Sequence, residues 1–85
     1  MRIKIYSRPN CSWCVRLKEW LNTYHMPYDE IIVDNADSLQ QFMTDCPGLK
    51  SVPQILVDGK IIDGGYQGFM ESKEKEELLK FYRVG

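Results

Sequence analysis

The sequence predicts an α/β domain of three layers, in which a four-stranded mixed sheet is flanked by three helices in the order β-α-β-α-β-β-α. Three observations predict it. Residues 2–6 alternate charged and apolar side chains with period two, and the segment after them changes to helical spacing. A second strand pattern followed by a second helical pattern repeats the change at residues 28–46. Asp58-Gly59 then stands between two apolar runs, the strongest short hairpin signal, because a type I′ turn needs positive φ at both central residues. The opening strand–helix–strand implies a parallel pair joined by a right-handed crossover, and the hairpin adds an antiparallel pair to the same sheet. With 85 residues there is room for one core, so residues 1–85 read as a single domain.

Each element has its own signal. Ile3 and Ile5 share one face of the first strand, and Ser7-Arg8-Pro9-Asn10 reads as a turn. Cys14, Leu17, Leu21 and Tyr24 recur at steps of three and four, with Trp20 beside them and Arg16, Lys18, Glu19 and Asn22 opposite. That is an amphipathic helix ending near His25 and Met26, closed by Pro27. Tyr28 to Val33 is a strand rich in branched residues. Leu39, Phe42, Met43 and Cys46 mark the apolar face of a second helix, ended by Pro47-Gly48. Ile55-Leu56-Val57 and Lys60-Ile61-Ile62 are the arms of the hairpin. The last helix is predicted from about Ser72 to Arg83, with Leu78, Leu79, Phe81 and Tyr82 apolar. Glu71–Lys75 and Glu76–Lys80 are expected as supporting i,i+4 pairs.

Composition excludes several functions. The chain is 44% hydrophobic and 27% charged, which is unlike a disordered tail. Its longest apolar run is three residues, against the roughly 20 a membrane-spanning helix needs. The N-terminus lacks the apolar core of a signal peptide, so a cytoplasmic location is expected. A net charge of −1 argues against nucleic-acid binding through a broad basic surface. The charge is uneven, however. Residues 1–25 hold five bases against Glu19, and the remainder hold six bases against eleven acids.

Two of the three cysteines fall in the basic end, as Cys11-Ser12-Trp13-Cys14 where strand gives way to helix. Amide groups at a helix start and the Arg8 guanidinium favour a thiolate at Cys11. Surroundings of this kind bring a cysteine pKa from about 8.5 into the range of roughly 3.5–7.5. The thiolate attacks disulfides to form a mixed disulfide, which a second thiol must resolve. Cys14 begins the apolar stripe and is expected to be partly buried, so Cys11 attacks and Cys14 resolves. The competing reading is a zinc site. It needs four ligands, no second Cys-x-x-Cys exists, and only Cys46 and His25 remain to complete a set at irregular spacing. Cys46 reads instead as a small buried hydrophobe, and His25 as a residue compensating a helix end.

Three ordered motifs carry a family resemblance. They are Tyr6-Ser7-Arg8-Pro9-Asn10-Cys11-Ser12-Trp13-Cys14, Ser51-Val52-Pro53-Gln54-Ile55, and Asp63-Gly64-Gly65-Tyr66. From Met1 to about Tyr82 the chain resembles a dithiol glutaredoxin of the thioredoxin fold. The resemblance implies a glutathione-dependent thiol–disulfide oxidoreductase that reduces protein disulfides or glutathione mixed disulfides. It implies a cis proline at Pro53, and a Val52 backbone free to pair with substrate. It further implies Gly64-Gly65 amides near the γ-glutamyl carboxylate of glutathione, and Arg8 near its glycine carboxylate. The departures are Ser12-Trp13, where the family usually has Pro-Tyr, and Tyr66-Gln67, where an aspartate commonly meets the glutathione ammonium. Trp13 keeps an aromatic platform, whereas Gln67 brings no charge. Two alternatives follow from the resemblance. One is a redoxin reduced by thioredoxin reductase and donating electrons to ribonucleotide reductase. The other is a carrier of a glutathione-ligated [2Fe–2S] cluster shared by two Cys11 thiolates, which Ser12 would permit. The expected form is a monomer with no resident metal.

Overall fold

The computed structural model describes residues 1–83. Its four strands are β1 (Ile3–Ser7), β2 (Asp29–Ile32), β3 (Gln54–Val57) and β4 (Lys60–Ile61), in the spatial order β2-β1-β3-β4. The helices are α1 (Ser12–Thr23), α2 (Ala36–Asp45), α3 (Gly65–Met70) and α4 (Lys73–Phe81). β1 runs parallel to β2 with Ile5 opposite Glu30, and antiparallel to β3 with Ile5 opposite Ile55. β3 and β4 form the expected hairpin, and Asp58 and Gly59 take φ values of 51° and 81° at its turn. The result is the three-layer mixed-sheet fold that the sequence predicts.

The alternation along β1 sorts its side chains between two cores, because successive residues point to opposite faces of a sheet. Ile3 and Ile5 join Ile55, Val57, Leu17, Leu21, Phe69 and Leu78 under α1, α3 and α4. Tyr6 turns the other way and meets Val33, Phe42, Cys46 and Leu56 under α2. The Tyr6 and Phe42 rings pack edge to face, 5.3 Å between centroids. A hydrogen bond of 2.8 Å from the Tyr82 hydroxyl to the Met1 carbonyl ties the last helix to the start of β1.

The structure corrects several details. α1 begins at Ser12 rather than Cys14, and Tyr24 is exposed beyond its end. The helix closes through backbone geometry: His25 takes φ 55°, and the Met26 and His25 amides bond back to the Leu21 and Asn22 carbonyls. His25 therefore serves the helix end by adopting the left-handed conformation. On α2 only Ser38 and Phe42 are buried, while Met43 is 59% exposed and Leu39 is also at the surface. The reason is that α2 alone covers its side of a short sheet, so a narrow apolar strip satisfies it. The predicted last helix is shorter, Ser72 caps it, and the separate helix α3 precedes it. Phe81 is exposed. Neither predicted i,i+4 pair is among the ion pairs of the described residues. Glu71 accepts a hydrogen bond from Gln67, and the Lys75 ammonium lies 3.7 Å from Glu76 instead.

One polar cluster crosses to the α2 face. Asp45 accepts hydrogen bonds from the Lys4 ammonium at 2.8 Å and the Tyr6 hydroxyl at 2.5 Å. Those bonds, helped by the Lys4 charge and opposed by burial, hold its carboxyl below the usual carboxylate range. Burial first, then the contact with Asp45, pushes the Tyr6 phenol up. A carboxyl whose folded pKa is depressed contributes stability above its unfolded pKa of about 3.9, and loses it as pH falls through the folded value. The urea midpoint should therefore fall between about pH 5 and pH 2. Asp45→Asn should be less stable than wild type near neutrality, and the gap should narrow in acid. A gap that stays constant would remove Asp45 from the acid response.

Candidate active site

The redox pair sits where β1 delivers the chain to α1. Asn10 takes φ 59°, a left-handed conformation that Asn tolerates better than most residues, and turns the backbone into the helix. Cys11 is the N-cap, with an extended backbone, and its Sγ accepts the Cys14 amide at 3.2 Å. Cys11 and Cys14 are joined as a disulfide with their Cα atoms 5.3 Å apart. Their exposure differs sharply. Cys14 is 1% exposed, whereas Cys11 reaches the surface in part.

Two hollows flank this disulfide. The first, of about 450 Å³, lies between Trp13, Leu49 and the segments 51–54 and 63–67. Of the residues singled out by sequence, Trp13, Val52, Pro53, Gly64, Gly65, Tyr66 and Gln67 line it. The Val52–Pro53 peptide bond is cis, and the Val52 carbonyl oxygen lies 4.0 Å from the Cys11 Sγ. Trp13 is 51% exposed, its ring 5.4 Å from that of Tyr66 and 4.9 Å from the Arg16 guanidinium. The second hollow, of about 660 Å³, is lined by Arg8, Cys11, Ser12 and Cys14 together with Lys18 and Glu30. Arg8 and the Gly64-Gly65 turn thus face different hollows.

Several residues that build the site were given no role from the sequence, although Ser7, Ser51, Gln54 and Asp63 fall within the quoted motifs. The buried Gln54 amide donates to the Ser51 carbonyl at 2.9 Å and braces the loop that presents Val52 and Pro53. Glu30 accepts from the buried Ser7 hydroxyl at 2.6 Å and the Lys18 ammonium at 3.0 Å. Burial raises its carboxyl, but the bonds from Ser7 and Lys18 and the Lys18 charge outweigh that and hold it below the usual range. Lys18 lies one turn after Cys14 on α1, a spacing visible in the sequence, but its partner Glu30 comes from the neighbouring strand. Asp63 and Leu49 complete the first hollow. Gln67 donates its side-chain amide to Glu71 at 2.5 Å, which brings a carboxylate beside the neutral residue.

The third motif has a steric basis. Gly64 and Gly65 take φ values of 92° and 61°, which favour glycine. Gly68 fits against the Asp63 backbone so closely that an added Cβ would overlap the Asp63 carbonyl oxygen. Cys46 lies under α2 and His25 beyond the end of α1, about 18 Å of helix away from Cys11, so neither joins the redox pair. Burial also pushes the Cys46 thiol up. Among the described residues no group of three or more His, Cys, Asp or Glu is placed to hold a metal. None of the described helices is long and apolar enough to cross a membrane.

A helix-capping dithiol on a small mixed sheet, beside a cis proline, defines a thiol–disulfide oxidoreductase of the redoxin class. The family model for glutaredoxin matches residues 3–62. The chain belongs to the glutaredoxin family. It is 31% identical to glutaredoxin 1 of Rickettsia conorii over 80 residues, covering 92% of this chain and 78% of that one. It is 28% identical over 71 residues to the glutaredoxin-like protein NrdH of Lactococcus lactis, covering 84% and 92%. Among solved structures, glutaredoxin 1 of Francisella tularensis superposes with a TM-score of 0.71 at 29% identity, covering 89% and 95%. A buckwheat glutaredoxin–glutathione complex does so with 0.71 at 26%, covering 94% and 74%.

The glycine packing yields a test. Gly68→Ala must displace the Asp63 backbone or tilt α3, and overpacking of that kind costs roughly 1–3 kcal/mol. Chemical denaturation should show the loss. Amide shifts in a heteronuclear NMR spectrum should move at Asp63 to Gly65, and unchanged stability would mean that the turn yields freely.

Proposed function

We propose that this protein is a glutathione-dependent thiol–disulfide oxidoreductase that reduces protein disulfides and glutathione mixed disulfides in a reducing, cytoplasmic compartment, acting as a monomer. The observation that carries the reading is the unequal exposure of the pair, a part-exposed, N-capping Cys11 and a buried Cys14. In the dithiol form the Cys11 thiolate attacks a substrate sulfur. A bond forms from Cys11 to that sulfur, and the other substrate sulfur leaves with the electron pair and takes a proton. Cys14 loses its proton and attacks Cys11, giving the Cys11–Cys14 disulfide and freeing the second substrate thiol. Two electrons have then passed from protein to substrate. Two glutathione molecules return them, the first attacking Cys11 and the second releasing it as glutathione disulfide.

Glutathione is assigned to the surface around Cys11. The Val52 backbone pairs with its cysteine residue, the Gly64 and Gly65 amides meet the γ-glutamyl carboxylate, and Arg8 meets the glycine carboxylate. Tyr66 and Gln67 border the γ-glutamyl end, while Trp13 and Ser12 flank the reacting sulfurs. The glutathione-bound buckwheat relative supports this reading. Gln67 favours a second one, because it offers no charge to an ammonium group. In that reading thioredoxin reductase regenerates the dithiol and ribonucleotide reductase receives the electrons; the similarity to NrdH supports it. A [2Fe–2S] cluster fits the residues less well. It would need Cys11 free of Cys14, with the exposed Trp13 indole accommodated between protomers.

The deciding experiment is reduction of a small mixed disulfide coupled to glutathione and glutathione reductase. Turnover should be lost in Cys11→Ser and partly kept in Cys14→Ser. No turnover in the wild type, with turnover restored by thioredoxin reductase, would replace the first reading by the second.

A further inference from the structure

The two hollows beside the disulfide carry opposite charges. In the first, Asp63 is the one ionised side chain in the lining, and Trp13 and Tyr66 form aromatic walls. At its margin Glu71, held by Gln67, and Arg16, 4.9 Å from the Trp13 ring, carry opposite charges, which leaves Asp63 as the charge in the lining. In the second hollow Lys18 and Glu30 neutralise each other at 3.0 Å, which leaves Arg8 as the uncompensated charge. Among the described residues neither Asp63 nor Arg8 has an ion-pair partner within 4 Å; both are exposed. The Cys11 sulfur lies between the hollows, lining the second and standing 4.0 Å from Val52 of the first.

We propose that this polarity selects the protein substrate: an extended segment whose reactive cysteine has a basic residue on one side and an acidic residue on the other. The basic side chain enters the first hollow, where its aliphatic stem lies along the aromatic walls and its charge meets Asp63. The acidic side chain faces Arg8. An extended chain advances about 3.3 Å per residue, so residues two positions from the cysteine reach about 7 Å to either side. Complementary charges of this kind chiefly select partner and register. The proposal rests on the thiol exchange described above and is independent of which reductant restores the dithiol.

The test uses reduced protein and two synthetic peptides, Ala-Lys-Ser-Cys-Ser-Glu-Ala and Ala-Glu-Ser-Cys-Ser-Lys-Ala. The cysteine of each is joined in a disulfide to neutral 2-thiopyridine. Cys11 attacks the peptide sulfur, the sulfur–sulfur bond to thiopyridine breaks, and the leaving group takes the electron pair and a proton to give absorbing 2-thiopyridone. Cys14 then displaces the peptide thiol. Exposed ion pairs are individually weak, so one peptide should react roughly fivefold faster than the other in low salt. The ratio should shrink toward unity near 1 M salt, where screening acts within about 3 Å. The double substitution Arg8→Glu with Asp63→Lys should invert the preference. Equal rates for both peptides in the wild type, or a preference that survives charge reversal or high salt, would overturn the proposal. Reaction with neither peptide would sink the exchange reading itself.

Discussion

The position of β1 between β2 and β3, with a core on each face, is the constraint on which the rest of this protein depends. Its hydrogen bonds are satisfied by a parallel neighbour on one side and an antiparallel neighbour on the other. Its side chains alternate between the cluster around Ile5 and Leu17 and the cluster around Tyr6 and Phe42. A one-residue slip would exchange the two sets and send Lys4 into the larger apolar core. The strand is therefore held in one register, and its C-terminal end fixes where the chain must turn. Cys11 stands at that turn.

The chemistry of the pair follows from the handover. A cysteine at the N-cap is placed beside amides that have no helical partner, and here the Cys14 amide is aimed at its sulfur. The residue three positions on points back toward the sheet and joins the buried face of α1. One strand-to-helix junction thus gives one accessible sulfur and one shielded sulfur. The proposed division of attack and resolution between the two residues rests on that geometry alone.

Around that pair the surface is assembled from segments remote in the chain. The loop before β3, braced by Gln54 and Ser51, brings Val52 to one side of Cys11. The turn before α3, closed by contact between Gly64 and Gly68, brings Asp63 and Tyr66 toward Trp13. On the other side Glu30 of β2 reaches Ser7 and Lys18 only because β1 and β2 are parallel in a particular register. The ion pair between Lys18 and Glu30 leaves the local charge to Arg8.

The order of strands and helices was legible in the sequence because local signals agree with the fold. The alternation in β1, the i,i+3 and i,i+4 recurrence in α1, and the Asp58-Gly59 turn each act over a few residues. The pairing of Cys11 with Cys14 and the burial of Cys14 were legible for the same reason, since the two lie three residues apart at one helix start. The exposure of Leu39 and Met43 was not legible, because apolar periodicity marks a possible buried face and the extent of the opposing sheet decides how much is covered. α3 was missed because six residues containing two glycines show no helical period, and its packing through Phe69 supplies what local preference lacks. The sequence by itself determined the element order, the redox pair and its asymmetry, because these depend on neighbours along the chain. The tertiary structure decided the two hollows, the pairing of Lys18 with Glu30 and the placement of Arg8 apart from Asp63. Those depend on which distant segments the sheet brings together.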